Sequence, residues 1–273
     1  MGKRTAAGEV QVQQPDTVLC EIANGRAMLT LSHPARLNAL TLRMLRELDS
    51  HLARIEADAS VRAVIVDAAG ERAFCAGADV TQWGALTPQA MGRLWIREGN
   101  RVFQRVAELD AVVICALSGD AFGGGLELAL AADIRLGAEG IRLGFPEVGI
   151  GAIPAWLGCA RLQELVGTGR ARQMILTGEP IDARTACAWG LLNEQVARAE
   201  LRSRAEELAS LIARRSSIAV SAAKRLLNAG LEASRFGGMH ELAASACLAS
   251  PDAPEGLAAF RDKRSPHFPD PKL

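Results

Sequence analysis

The stretch Gly123-Gly124-Gly125-Leu126-Glu127-Leu128-Ala129-Leu130-Ala131-Ala132 decides how this chain is read. Three glycines open a run that is otherwise apolar except for one carboxylate. Glutamate is almost never fully buried without a partner, so a lone Glu127 in such a run needs a reason. The glycines supply half of it. They let another group approach the backbone closely, and they place amide N–H groups at a helix start, where no preceding turn accepts them. Free donors beside a partly desolvated carboxylate point to acid–base chemistry on a carbonyl compound.

Upstream, an apolar strand, a glycine-containing turn and a helix follow one another around Val64, and the same order returns around Val113. This is a weak internal repeat of a β-β-α kind. Strand readings fall on Thr17–Ile22 and Ala27–Leu31, with Asn24-Gly25 as the hairpin turn between them. Further strands are read at Arg62–Asp67 and Ala111–Leu117. Apolar residues at 42, 45, 48, 52 and 55 lie at helical spacing, and Thr87–Leu109 reads as broadly helical. Beyond Pro154 the pattern turns helical, at Ala155–Leu165, Arg170–Leu176, Arg184–Trp189, Ala199–Ala213, Ile218–Ala229 and Pro254–Arg261. Leu191-Leu192-Asn193 is at most a short strand. The expectation is a mixed α/β core at 16–200, a helical region at 201–273 and a loose tail at 1–15.

Composition sets limits on function. The 273 residues are 49% hydrophobic, enough for a substantial core, and 31 Lys+Arg balance 31 Asp+Glu. Zero net charge argues against bulk nucleic-acid or acidic-membrane partners. The six cysteines show no C-x-x-C spacing and mostly sit in apolar surroundings, which fits reduced thiols in a cytoplasmic protein. The four histidines are scattered, so no metal site is expected. The first fifteen residues lack the apolar segment of a signal peptide, and no apolar run reaches membrane-spanning length.

Three features supply candidate chemistry. In Ala76-Gly77-Ala78-Asp79, Gly77 permits a sharp turn, Ala78 offers a free N–H and Asp79 is a natural N-cap; the same residues read equally as an ordinary capped turn. The glycine triplet fits neither G-x-G-x-x-G after a strand nor a P-loop, leaving a flexible turn or one donor of an oxyanion hole. Two N–H donors, one from each turn, would hold an acyl oxygen, each worth roughly 2.7–4 kcal/mol in a transition state. The third feature is a carboxylate pair. Glu147, twenty residues after Glu127, is the single charge of Gly144-Phe145-Pro146-Glu147-Val148-Gly149. Carboxylates in apolar settings can be pushed apart in pKa, one acting as acid and one as base; the alternative is a pair of ordinary solvated or salt-bridged glutamates.

These residues resemble the crotonase superfamily, the enoyl-CoA hydratase/isomerase family, over most of the chain. Pro34-Ala35-Arg36-Leu37-Asn38-Ala39-Leu40 is similar to its N-terminal element, and Phe74–Asp79 to its first oxyanion turn. Ser118–Ala129, with Ala132-Asp133-Ile134-Arg135 after it, is similar to its signature, and Phe145–Gly149 followed by Pro154 to the next block. Gly256–Phe268 is similar to its C-terminal end. The resemblance implies a spiral of β-β-α units with a helical C-terminal region used for assembly as a homotrimer or a hexamer. It implies an acyl-CoA substrate and no separate cofactor, coenzyme A being part of the substrate. Ala78 and Gly124 would hold the thioester oxygen, and Glu127 and Glu147 would handle water and proton in a 2-enoyl-CoA hydratase of fatty acid or related acyl-CoA metabolism. Arg36, Leu37, Ala76, Asp79, Trp156, Phe260 and Lys263 are the implied substrate contacts.

Departures from the family pattern stand beside these matches. The family's glycine-rich turn after Pro154 is replaced by Ala155-Trp156-Leu157-Gly158-Cys159, where Trp156 either reshapes the acyl pocket or packs in the core. Thr81 stands where members often carry a basic residue, so any phosphate contact comes from elsewhere, for example Arg36, or Lys263 of its own or a neighbouring chain; the alternative is that both are solvated surface charges. The chain has no tyrosine. An isomerase or a specialised dehydratase is the alternative within the superfamily. A Clp-type protease lacks a histidine near Ser118 in sequence, and an RNA-binding homologue lacks a basic-aromatic stripe.

Overall fold

A computed structural model describes residues 16–229, 242, 244–247 and 249–268. The tail expected at 1–15 lies outside the described residues. The first hairpin pairs β1 (Thr17–Ala23) with β2 (Arg26–Ser32) antiparallel. Its turn places Asn24 at φ +53° and Gly25 at φ +71°. Two consecutive left-handed residues match the strand twist, as the Asn-Gly pair predicts. Helix α1 (Leu42–Glu56) follows, capped by the Thr41 hydroxyl, which accepts from Met44 N, and buries Leu45, Leu48, Leu52 and Ile55.

The chain then runs through repeated turns of one spiral. Each turn sends one strand to a first sheet, the next to a second, and returns through a helix. The first turn is β3 (Ala63–Ala68), β4 (Ala73–Cys75), α2 (Val80–Trp83), α3 (Pro88–Ala90), a π-helical stretch Met91–Ile96 and α4 (Arg97–Glu108). The second is β5 (Val112–Leu117), β6 (Asp120–Phe122) and α5 (Gly124–Leu130). The third is β7 (Ile134–Ala138), β8 (Arg142–Gly144) and a 3-10 turn, Pro146–Ile150. Among the described residues the sheets run β1-β2-β3-β5-β7-β10 and β4-β6-β8-β9, with β9 at Ile181–Asp182 and β10 at Glu194–Val196. Apart from the β1–β2 and β8–β9 pairs, all neighbours are parallel.

The β-β-α repeat and the helical C-terminal portion match the sequence reading. Four short strands were not legible. β6, β8 and β9 have two or three residues each, below the length at which alternation can be seen. β7 is buried or half-buried along its whole length and carries no alternation either. The strand expected no further than Leu191–Asn193 lies three residues later, where β10 continues the parallel sheet beside β7. The helix expected at Ala155–Leu165 starts only at Gly158 (α6, Gly158–Val166), because Leu157 stands at φ +69° and cannot continue a right-handed turn.

Helices α7 (Thr168–Thr177), α8 (Ala183–Trp189), α9 (Leu201–Ala213) and α10 (Ser217–Asn228) complete the described core, with a last helix at Asp252–Arg261. Lys224 of α10 is buried. Its ammonium donates to Asp133 Oδ2 at 2.7 Å and to Ala111 O at 3.0 Å, tying the helix to the edge of β5.

Asn38 holds the segment that braces the first turn. It is buried and left-handed at φ +56°. Its Oδ1 accepts from His33 N at 2.8 Å, and its Nδ2 donates to Ala69 O and Ala73 O at 2.9 and 3.1 Å. The adjoining backbone then clamps the Ala76–Asp79 turn: Ala76 N donates to Leu37 O, Leu40 N to Gly77 O, and Asp79 N to Leu40 O. Asn38→Ala leaves one buried and two half-buried backbone groups unpaired and puts a β-carbon without polar support in the left-handed region. We expect a loss of about 3 kcal/mol, read as a lower urea midpoint at unchanged slope; an unchanged midpoint would contradict this bracing role.

Candidate active site

Two turns meet at the top of the spiral. The first follows β4. Gly77 stands at φ +112°, and Ala78 forms an isolated parallel bridge with Leu40. In that bridge the flanking Gly77 O and Asp79 N make the hydrogen bonds. Ala78 is therefore the residue whose own N–H points to the opposite side. The second turn is the glycine triplet. Gly124 is the first residue of α5, so its amide has no carbonyl one turn below it within the helix. A β-carbon on Gly77 would stand 3.6 Å from Gly124 N, and one on Gly124 would stand 3.3 Å from Ala78 N. The two amides are neighbours; the φ of +112° at position 77 favours glycine, and a side chain at 124 would meet Trp156.

The triplet also decides what lies around them. Gly123 stands at φ +48°, and a β-carbon there would fall 2.7 Å from Glu147 Oε1. On Gly124 it would fall 2.6 Å from Cζ3 of Trp156. The first glycine makes room for a carboxylate and the second for an indole.

Glu127 is 2% exposed, on the first turns of α5. Its Oε1 accepts from Trp156 N at 2.7 Å and from Gly158 N at 2.8 Å. The left-handed Leu157 between those residues turns the chain so that both amides converge on one oxygen, an anion-binding arrangement of backbone. Gly158 has no side chain to spare there, since a β-carbon would sit 2.6 Å from Oε1. With Oε1 occupied, Oε2 is the oxygen left for the cavity that Glu127 lines.

Glu147 comes from the 3-10 turn after β8. Its Oε2 is buried and has no hydrogen-bond partner in the protein. Burial pushes Glu127 up to about 8; the Gly158 amide opposes that shift, and the neighbouring Glu147 charge adds to it. Burial likewise pushes Glu147 up to about 7. Two interacting carboxylates so displaced titrate as a pair, which holds a proton near neutrality that separate glutamates would have lost.

The amides and carboxylates share one cavity of about 410 Å³. Exposed Val80, Ile150 and Ile153 stand at its mouth, and buried Trp95 and Trp156 at its floor. Trp95 belongs to the π-helical stretch, a distortion often found at functional sites. An apolar cleft with a few convergent polar groups and displaced pKa values has the character of an active site.

Of the residues singled out from sequence, Ala76, Ala78, Gly124, Glu127, Glu147 and Trp156 line this cavity. Asp79 does not turn its carboxylate into it. It caps α2, accepting from Thr81 N at 2.9 Å and Thr81 Oγ1 at 2.6 Å. Burial raises its pKa, but the Thr81 hydroxyl and amide and the Arg36 charge outweigh that and hold the carboxyl below its usual range. Asp79 and Arg36 instead line a neighbouring recess of about 380 Å³ with His33 and Thr81. Leu37, at φ +53°, contributes its carbonyl to the clamp on Ala76.

Phe260 lines a third recess with Phe268 and is 84% exposed; Lys263 lies two residues beyond the end of the same helix, at φ +50°. Within one chain neither reaches the cavity. Trp95, Gly99 and Gly158 were missed. Trp95 and Gly99 sit in a stretch that reads only as helix, and Gly158 falls inside the helix expected at Ala155–Leu165.

Among the described residues no helix is long and apolar enough to cross a membrane. A sequence profile described as enoyl-CoA hydratase/isomerase matches residues 21–271. The short-chain-enoyl-CoA hydratase of Clostridium acetobutylicum is 37% identical over 91% of this chain and 96% of that one. The crystal structure of an enoyl-CoA hydratase from Bacillus anthracis superposes with a TM-score of 0.88 at 35% identity, covering 92% of this chain and 98% of that one. The structure of DspI from Pseudomonas aeruginosa gives 0.89 at 30% identity, covering 96% and 100%.

Proposed function

This chain belongs to the enoyl-CoA hydratase/isomerase family, and we propose that within it the protein adds water reversibly to a 2-enoyl-CoA thioester, as a hydro-lyase. The observation that carries this reading is a pair of buried carboxylates, Glu127 and Glu147, in one apolar cavity with the adjacent amides of Ala78 and Gly124. In this reading the thioester oxygen accepts from both amides, which stabilise the negative charge of an enolate. Glu127, anchored through Oε1, uses Oε2 to orient water and take its proton as the oxygen bonds Cβ. Glu147 delivers a proton to Cα. One proton is taken and one given, so the pair ends the cycle with the count it began with. Taken singly, the raised values put the shared proton on Glu127, so the productive form is the one in which the coupled pair carries it on Glu147.

No metal or further cofactor takes part in this scheme, since coenzyme A arrives with the substrate. Arg36 supports a phosphate contact from the neighbouring recess. Phe260 and Lys263 contribute only if chains assemble. Exposed Leu227, Leu257 and Phe260 on the C-terminal helices support a homotrimer, or a dimer of trimers, built through the region 201–273. Buried Cys75 and Cys115 have their thiol pKa pushed up by burial and suit a reducing cytoplasm, whereas Cys159 is exposed.

The test is optical. Hydration of crotonyl-CoA removes the conjugated enoyl-thioester absorbance, and the 3-hydroxyacyl product run backwards restores it. Conversion of a 3-enoyl-CoA to the conjugated form without hydration would replace this reading by an isomerase. The pH profile is a second check. Below about 7 both carboxylates hold protons and no base remains; above about 8 both are ionised and no acid remains. A bell-shaped kcat/KM with its maximum near pH 7–8 is expected; a flat profile from pH 5 to 10 would count against the pair.

A further inference from the structure

Trp156 is held in place from several sides. Its indole stacks on Trp95 with ring centroids 5.6 Å apart and meets Phe103 edge-on at 5.3 Å. Its Nε1 donates to Trp95 O at 3.2 Å. Two glycines make the slot it fills. A β-carbon on Gly99 of α4 would stand 2.2 Å from Nε1, and one on Gly124 would stand 2.6 Å from Cζ3 and 2.8 Å from Cε3. The indole therefore runs from the α4 backbone to the amide proposed to hold the thioester oxygen. The same residue's backbone N–H holds Glu127 Oε1.

That coincidence has a steric consequence. The reacting Cβ must lie beside the Glu127 carboxylate, while the thioester oxygen must lie on Gly124 N. Whatever is attached to Cβ then points to the wall carried by Trp156. The wall is close-packed, with Trp95 and Phe103 behind it, and interiors of this density do not yield room for extra methylenes without strain. We propose that Trp156 is the residue that sets acyl-chain length, restricting the enzyme to short, crotonyl-like chains by closing the slot that Gly99 and Gly124 open. This rests on the hydratase reading for the direction of the acyl chain.

The experiment uses the full chain and 2-enoyl-CoA substrates of four, six and ten carbons. The wild type should show kcat/KM at least tenfold higher for the four-carbon than for the ten-carbon substrate. W156A should raise the ten-to-four ratio by at least tenfold, and W156F, which keeps an aromatic plug, should raise it far less. If W156A does not fold by circular dichroism, W156L carries the same test. Equal wild-type turnover of four and ten carbons, or an unchanged ratio in a folded W156A, overturns the proposal while leaving hydration intact. Absence of hydration on every substrate overturns the hydratase reading instead. The size inference is then judged by calorimetric binding of butyryl- and decanoyl-CoA, which cannot be hydrated. There the decanoyl-to-butyryl affinity ratio should rise at least tenfold in W156A, and an unchanged ratio overturns it.

Discussion

Glu127→Gln should lower turnover of a 2-enoyl-CoA substrate by about 10²–10⁴-fold, the usual range for loss of a positioned acid–base group, with acyl-CoA binding nearly unchanged. The substitution is close to isosteric. The carboxamide oxygen can still accept from Trp156 N and Gly158 N, so the loop after Pro154 keeps its shape. Oε2 becomes an NH₂ that takes no proton. Stopped-flow turnover and a direct binding titration of an acyl-CoA separate the two effects. Near-wild-type rates would remove Glu127 from the chemistry, and a parallel collapse in binding would make its role structural.

The same variant tests the electrostatics through stability. The Glu127 pKa is raised on folding from 4.5 to about 8. A raised carboxyl binds its proton more tightly in the folded than in the unfolded chain. Its contribution to stability is complete below the unfolded value and is lost as pH climbs through the folded one. Between pH 4.5 and about 8 wild-type stability should therefore fall by up to about 1.4 kcal/mol per pH unit from this group. Glu127→Gln removes that slope, so the variant should be the more stable protein at pH 9. A wild type that melts higher at pH 9 would show that the carboxylate is not desolvated as described.

Gly124→Pro should abolish thioester turnover whichever acyl chain is offered. Proline suits the first position of a helix, so α5 is not broken by it. What disappears is the N–H beside that of Ala78, and removing one such donor costs about 10²–10³ in kcat. The added ring atoms also crowd Trp156, because a β-carbon at 124 lies 2.6 Å from its Cζ3. Gly124→Ala separates these causes, since it adds the β-carbon but keeps the donor. The proline variant should be at least a hundredfold worse than the alanine variant. Equal losses would assign the effect to crowding and not to the amide.

The sequence alone was enough for the β-β-α repeat, the helical C-terminal portion and the pairing of Gly124 with Glu127. Each of these rests on local signals: apolar runs, helical spacing, and a glycine triplet beside a carboxylate only three residues away. Asn24-Gly25 was legible for the same reason, because the turn's conformation is set by the two residues themselves.

Everything that depended on distant chain coming together was decided by the tertiary structure. Asp79 reads both as a natural N-cap and, by resemblance, as a substrate contact; it caps α2 through Oδ1, and the folded chain sets it beside Arg36 in the recess next to the cavity. Trp156 reads as either core or pocket, and it is both: buried against Trp95 and Phe103 on one side, and lining the cavity on the other. Gly99 and Gly158 are unremarkable as letters, and their reason lies in the indole and carboxylate packed on them from residues 57 and 31 positions away. The carboxylates themselves show the same division. That Glu127 and Glu147 are acidic residues in apolar settings is written in the chain. Their displaced pKa values come from the desolvation that the spiral imposes when it closes both into one cavity.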